Sequence, residues 1–290
     1  MKKYIKKVVL IGLAVLMAGA IWLMANRDRE KTDSYDIVFM GDSLIGNYAF
    51  PRGVTVIMEE RLEKTVFNGA LGGTCMSVSR HTDRDSVPVR QWSMVKLAYA
   101  ICTNDWTSQL AGVSYSENYS DKVIQVLGYF YERLNELSQI NFEKVEILLL
   151  EHGTNDYNCG QLVDSIEDPF DITTYGGALR TTITMLQKRF PDLRIILVSP
   201  TYCEFEGTVN AKCTEMDFGG GILEEYVKVQ KQIANEYGVE WIDLYYSSGI
   251  WSDTIDIYTF DKLHLTTEGQ QLIGDFISDY LENNPEISKE

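Results

Sequence analysis

Apolar runs recur along this 290-residue chain, and small or polar turn residues follow each of them. Tyr35-Asp-Ile-Val-Phe-Met40, Val145-Glu-Ile-Leu-Leu-Leu150 and Leu193-Arg-Ile-Ile-Leu-Val198 are nearly continuous blocks, not alternating ones. That pattern predicts strands covered on both faces, as in a parallel sheet. Thr65–Asn68 and Val239–Leu244 add two further strands. Helical spacing runs through Val54–Leu62, Val87–Ile101, Tyr119–Ile140, Thr173–Phe190, Leu223–Tyr237 and Thr266–Asn283. Pro191 and Gly238 end two of these helices, and Thr266 is suited to cap the start of the last. Strands that alternate with helices predict an α/β domain with helices on both sides of a parallel sheet. In such a sheet, functional groups collect at the carboxyl ends of the strands.

One stretch breaks this pattern. Lys2, Lys3, Lys6 and Lys7 precede an uncharged apolar run from Val8 to Met24. The run is short for a bilayer-spanning helix, which needs about 20 residues. It is long for the apolar core of a signal peptide, which takes about 7–15. Two expectations stand: a retained transmembrane anchor over residues 1–25, or a leader cleaved near Ala18-Gly19-Ala20. In either case a linker (26–34) leads to a domain over 35–290 that is exported, because the lysines hold the amino terminus on the cytoplasmic side. The chain is then expected at the cell membrane, single-pass with its domain outside, or secreted.

Charge and cysteine content narrow the partners. Residues 1–31 hold seven of the 26 Lys/Arg and two of the 42 Asp/Glu, so the remainder carries 19 against 40, a net of −21. An acidic body argues against nucleic acid as partner. Cys75, Cys102, Cys159, Cys203 and Cys213 are an odd set without zinc-site spacing, so no metal is expected. Cys203 and Cys213 are close enough in sequence to close a short loop. No P-loop, His-Glu-x-x-His or EF-hand pattern is present, and no cofactor is expected.

Four short segments at predicted strand ends carry chemistry. Gly41-Asp42-Ser43-Leu44 follows the first strand. A serine hydroxyl placed there projects above the sheet, but it needs a base and an anion site to act as a nucleophile. Phe67-Asn68-Gly69-Ala70-Leu71-Gly72-Gly73 follows the second strand, where small residues let a backbone N–H approach a substrate oxygen. Gly153-Thr154-Asn155-Asp156 ends the third strand and offers an amide donor that does not titrate. Asp261-Lys262-Leu263-His264 precedes the last helix. There a carboxylate three residues upstream can hold the imidazole Nδ1–H and leave Nε2 as the base.

In this order and at these strand ends, the four segments resemble the SGNH/GDSL hydrolase superfamily over roughly Tyr35–Asn283. The resemblance implies a flavodoxin-like three-layer α/β/α sandwich with five parallel strands. It also implies Ser43 as nucleophile, His264 as base and Asp261 as its orienting carboxylate. The oxyanion would be held by the N–H groups of Ser43 and Ala70 and by the Asn155 amide. Ala70 stands where the family usually carries glycine. The span from Ala70 to Asn155 is longer than in compact members, so a helical addition is expected at about 75–140.

His152 is read as a packed strand-end residue and His81 as a solvated loop residue. Trp92, Trp106 and Tyr157 are read as core before pocket lining. The expected activity is hydrolysis of an acyl ester, first O-acetyl or another short acyl group on polysaccharide, second a lipid ester. An O-acyltransferase with the same triad and a silent surface-binding module are the alternatives.

Overall fold

The computed structural model describes residues 34–46, 53–78, 91–111, 121–205 and 210–285. Five strands, β1 (Ile37–Gly41), β2 (Val66–Asn68), β3 (Ile147–Glu151), β4 (Arg194–Val198) and β7 (Glu240–Ile242), form one parallel sheet in the order β2-β1-β3-β4-β7. This is the flavodoxin-like strand order. β5 (Glu204–Phe205) and β6 (Ala211–Lys212) pair separately as an antiparallel ribbon. The helices are α1 (Val54–Leu62), α2 (Met94–Thr103), α3 (Thr107–Ala111), α4 (Asp121–Leu137), α5 (Thr154–Asn158), α6 (Tyr175–Arg189), α7 (Leu223–Tyr237), α8 (Leu244–Ser247), α9 (Ile255–Tyr258) and α10 (Thr267–Asn283).

The apolar runs explain the sheet. All five residues of β1 and all five of β3 are buried, so both faces of these central strands need a helical cover. α1 packs against α10, and α6 packs against α2 and α7. The two groups lie on opposite faces, because the right-handed β1→β2 crossover runs along the sheet in the direction opposite to β3→β4→β7. Arg61 of α1 reaches Asp275, Asp279 and Glu282 of α10 at 3.3, 2.7 and 2.8 Å and ties the first cover helix to the last.

The helix limits follow local chemistry. α7 ends at Gly238, whose φ of 63° is the left-handed value that glycine adopts freely. Thr266 caps α10 by accepting from Gly269 N–H at 3.1 Å, and Thr174 caps α6 in the same way. The segment expected as a helical addition carries α2, α3 and α4 in its described parts, and Trp92, Trp106 and Tyr157 are core residues. The expected start of a helix at Val87 lies outside the described residues, and α2 begins only at Met94.

No helix among the described residues is long and apolar enough to cross a membrane. The apolar run of residues 8–24, the linker up to residue 33 and His81 lie outside the described residues.

Candidate active site

The register of the sheet sets the site. Gly41 of β1 pairs with Glu151 of β3, and Glu151 pairs with Val198 of β4, so three strands end on one row. The Gly41–Leu44 and Gly153–Asp156 motifs leave from that row.

Asp42 to Ile45 form a tight turn instead of entering a helix directly, with Gly46 N–H donating back to Asp42 O at 2.9 Å. Ser43 is half-buried at the head of this turn, and its N–H makes no hydrogen bond to a described residue. Opposite it lies the loop 259–265, closed by a bridge between Thr259 and Leu265 and by Phe260 N–H donating to His264 O at 3.0 Å. Asp261 organises this loop. Its Oδ1 accepts the N–H groups of Leu263 and His264 at 3.1 and 2.7 Å, and its Oδ2 stands 2.6 Å from His264 Nδ1. His264 Nε2 is then 3.0 Å from Ser43 Oγ. One carboxylate therefore shapes the loop and fixes the ring. Burial raises the Asp261 proton affinity, but the hydrogen bonds and charge of His264 outweigh it and hold the carboxyl below its ordinary value. The imidazole has one nitrogen on a carboxylate and the other on a hydroxyl, which is the geometry of a general base.

Asn155, the side-chain donor expected from the sequence, is carried on α5. Gly153 enters that helix with φ 143°, a left-handed value that L side chains rarely adopt, and a Cβ there would meet the Pro200 ring at 2.8 Å. Asn155 follows on the first turn, and its Nδ2 donates to Asp42 Oδ2 at 2.9 Å. Asp156 is buried and anchors the neighbouring loop. It accepts from Met76 N–H at 2.8 Å, Ser77 N–H at 3.0 Å and Ser77 Oγ–H at 2.5 Å. Burial pushes its carboxyl up to about 6 against those donors.

Ala70 departs from the expectation. Its N–H is donated to Asn68 Oδ1 at 3.1 Å and is therefore engaged within its own loop. Leu71 N–H is likewise bound to Gly41 O at 2.9 Å. The next two amides, those of Gly72 and Gly73, make no hydrogen bond to a described residue, and a Cβ on Gly72 would lie 3.4 Å from Ser43 Cβ. The chain thus reaches the nucleophile two residues beyond Ala70.

His152 has the packing position expected of it. It is buried, its Nε2 lies 3.5 Å from Thr74 Oγ1, and burial pushes its proton affinity down to about 3, so the ring is neutral. None of the five cysteines is in a disulfide, so Cys203 and Cys213 close no covalent loop, and Cys203 N–H donates to Cys213 Sγ at 3.4 Å beside the β5-β6 ribbon. Among the described residues no group of His, Cys, Asp and Glu could hold a metal ion.

Sequence reasoning gave no separate role to Asp42, Asn68, Asp156 and Glu151. The first three lie inside the quoted motifs. Glu151 was visible as a carboxyl that closes an otherwise apolar strand.

The family model of GDSL-like lipases and acylhydrolases matches residues 39–272. The chain belongs to that family. As a GDSL-like hydrolase it is a carboxylic-ester hydrolase. No curated protein sequence matches the chain. Among solved structures, a Lactobacillus plantarum protein shares 18% identity at a TM-score of 0.59, over 87% of this chain and 98% of its own. A possible lipase from Chitinophaga pinensis shares 16% at a TM-score of 0.53, over 86% and 98%. An acetyl xylan esterase shares 15% at a TM-score of 0.51, over 84% and 98%. At these identities the three establish that the GDSL-like fold is common to all.

Proposed function

We propose that this chain is an exported serine esterase that removes O-acetyl or other short acyl groups from polysaccharide. The observation that carries the reading is the contact of His264 Nε2 with Ser43 Oγ at 3.0 Å, backed by Asp261 at 2.6 Å. His264 takes the proton of Ser43 as its oxygen attacks the ester carbonyl. The Ser43 and Asn155 N–H groups hold the oxyanion. In this reading Gly72 and Gly73 replace Ala70 as the loop donors, because their amides make no hydrogen bond to a described residue. The alcohol leaves with the proton from His264, and water then attacks the acyl-serine by the same route.

The carbohydrate part of the reading is supported by a ring at the mouth of the site. Phe260 is 58% exposed and stacks on His264, with ring centroids 5.7 Å apart and 18° between planes. An exposed aromatic face beside the base suits the apolar face of a sugar. The acetyl xylan esterase among the fold neighbours agrees with that chemistry. Export rests on Lys2, Lys3, Lys6 and Lys7 ahead of the apolar run.

The test is a panel of aryl esters of graded acyl length together with acetylated polysaccharide, assayed with wild type and Ser43→Ala, alongside fractionation of cells expressing the full chain. Acetate release that depends on Ser43, in a membrane or secreted fraction, is expected. A preference for long acyl chains would replace this reading with a lipid esterase. Acyl transfer to added glycan in excess of hydrolysis would replace it with an acyltransferase.

A further inference from the structure

Directly beneath the nucleophile turn lie two carboxyl groups that the reaction above does not use. Gly41 and Glu151 are register partners on adjacent strands, which brings Asp42 and Glu151 side by side at the end of the sheet. Both are fully buried, and no described Lys or Arg forms an ion pair with either. The approach is close. A Cβ on Gly41 would lie 3.2 Å from Glu151 Oε2, so any other residue at 41 would crowd that carboxyl.

Two buried carboxylates with no cation cannot both be ionised at modest cost, and one must hold a proton. The donors decide which. Asp42 accepts from Leu44 N–H at 3.0 Å and from Asn155 Nδ2 at 2.9 Å, one on each oxygen. Among the described residues, Glu151 receives only a long contact from Asp42 N–H at 3.5 Å on Oε2, and its buried Oε1 has no partner. Negative charge is thus stabilised on Asp42 and left bare on Glu151.

We propose that Glu151 is a neutral carboxylic acid that donates its proton to Asp42, so that a single negative charge anchors the Asn155 amide in its oxyanion-binding pose. Glu151 is then a positioning residue that acts through Asp42 and Asn155 without touching substrate. Its role in turnover rests on the esterase reading above, but its protonation does not. Burial and the Asp42 charge both push the Glu151 carboxyl well above its ordinary value. The other titratable groups that face the pair are Asp156 from α5, Tyr175 from α6, Cys203 beside the β5-β6 ribbon and His264 from the C-terminal loop. The first adds negative charge and so favours the same proton. The charge kept on Asp42 also faces His264.

Infrared spectroscopy of the folded protein at pH 8 tests the protonation. A protonated-carboxyl carbonyl band is expected in wild type and is absent in Glu151→Gln. A spectrum without that band, or a band that survives the substitution, overturns the proposal whatever the enzyme hydrolyses. Glu151→Gln also mimics the acid by donating N–H to Asp42, and it is expected within about twofold of wild-type kcat. Glu151→Leu removes the donor and is expected to lower kcat about tenfold with KM unchanged, short of the roughly 10²–10³ lost with a whole oxyanion donor. In an Asn155→Ala background the same Glu151→Leu change should cost nothing further. An equal loss in both backgrounds would show that Glu151 does not act through Asn155. Sign also matters. The folded protein holds a proton that the unfolded chain has released, so wild type should lose stability relative to Glu151→Gln as pH rises through the raised Glu151 value. If Glu151→Leu fails to fold, the infrared band and the pH comparison with Glu151→Gln still decide.

Discussion

Asn155 Nδ2 donates to Asp42 Oδ2 at 2.9 Å, so one N–H of the amide is engaged inside the protein, and in the function proposed above the other meets the oxyanion. The donor is aimed before substrate arrives. Asn155→Ala should therefore lower kcat by about 10²–10³, the range for loss of one such donor, and leave KM nearly unchanged. Steady-state kinetics on a short-chain aryl ester measures this. Wild-type kcat in the variant would remove Asn155 from the anion site.

The contact between His264 and Ser43 sets a second expectation. Ser43→Ala and His264→Ala should both abolish hydrolysis and fluorophosphonate labelling while leaving the thermal transition in place, because both residues lie in turns at the cleft. Mass spectrometry that finds the label on another serine would refute the nucleophile.

Asp261 holds two loop amides and the imidazole with one carboxylate. Asp261→Asn keeps the shape but presents an N–H to the ring and favours the wrong tautomer. A loss of kcat on the order of 10⁴ is expected, the cost of such a tautomer error in a comparable triad. Slow labelling of Ser43 should persist. A variant with near-native turnover would show that the ring needs no orienting partner.

Asn68 links the nucleophile turn to the loop beyond β2. Its Nδ2 donates to Ile45 O at 3.2 Å and its Oδ1 accepts from Ala70 N–H at 3.1 Å. Asn68→Ala should cost about 1–3 kcal/mol in a denaturant titration, since two part-buried backbone groups lose their partner. Turnover should fall several-fold as well, because Gly72 is carried by that loop. No change in either quantity would show that the link is idle.

The neutral His152 gives the protein an acid-side weakness. The unfolded chain takes up a proton near the ordinary histidine value of about 6.5, whereas the folded protein resists until about 3. The unfolded state thus binds more protons in that window, and stability falls as pH falls through it. His152→Gln should flatten the decline between pH 6.5 and 4 relative to wild type and retain most activity at pH 8. Parallel pH–stability curves for the two proteins would count against a buried neutral ring.

Much of this was legible from residue order alone. β1, β3 and β4 were readable because strands covered on both faces must be apolar throughout, and α1 and α7 because helical spacing and a terminal Gly238 mark them. The contact of Asp261 with His264 was readable because three residues of spacing let a carboxylate meet a ring, whereas Ser43 was placed opposite them by the family resemblance that the four motifs carry. The engagement of the loop amides was not readable. Counting residues from Asn68 suggests Ala70, but which amide is free depends on what Asn68 binds, and a side-chain hydrogen bond leaves no trace in composition. The β5-β6 ribbon and the short α8 and α9 helices also escaped, since elements of two to four residues carry no periodicity.

The residues that meet at 3.0 Å across the cleft are 221 positions apart in the chain. During synthesis the nucleophile emerges early and its base only when the final helix is about to follow. Until α10 docks against α1 through Arg61, the serine is an ordinary hydroxyl. With the triad proposed above, a chain cut or stalled before Asp261 is expected to carry no latent hydrolase activity, and the appearance of fluorophosphonate reactivity on refolding is expected to mark the moment when the two ends of the domain close on each other.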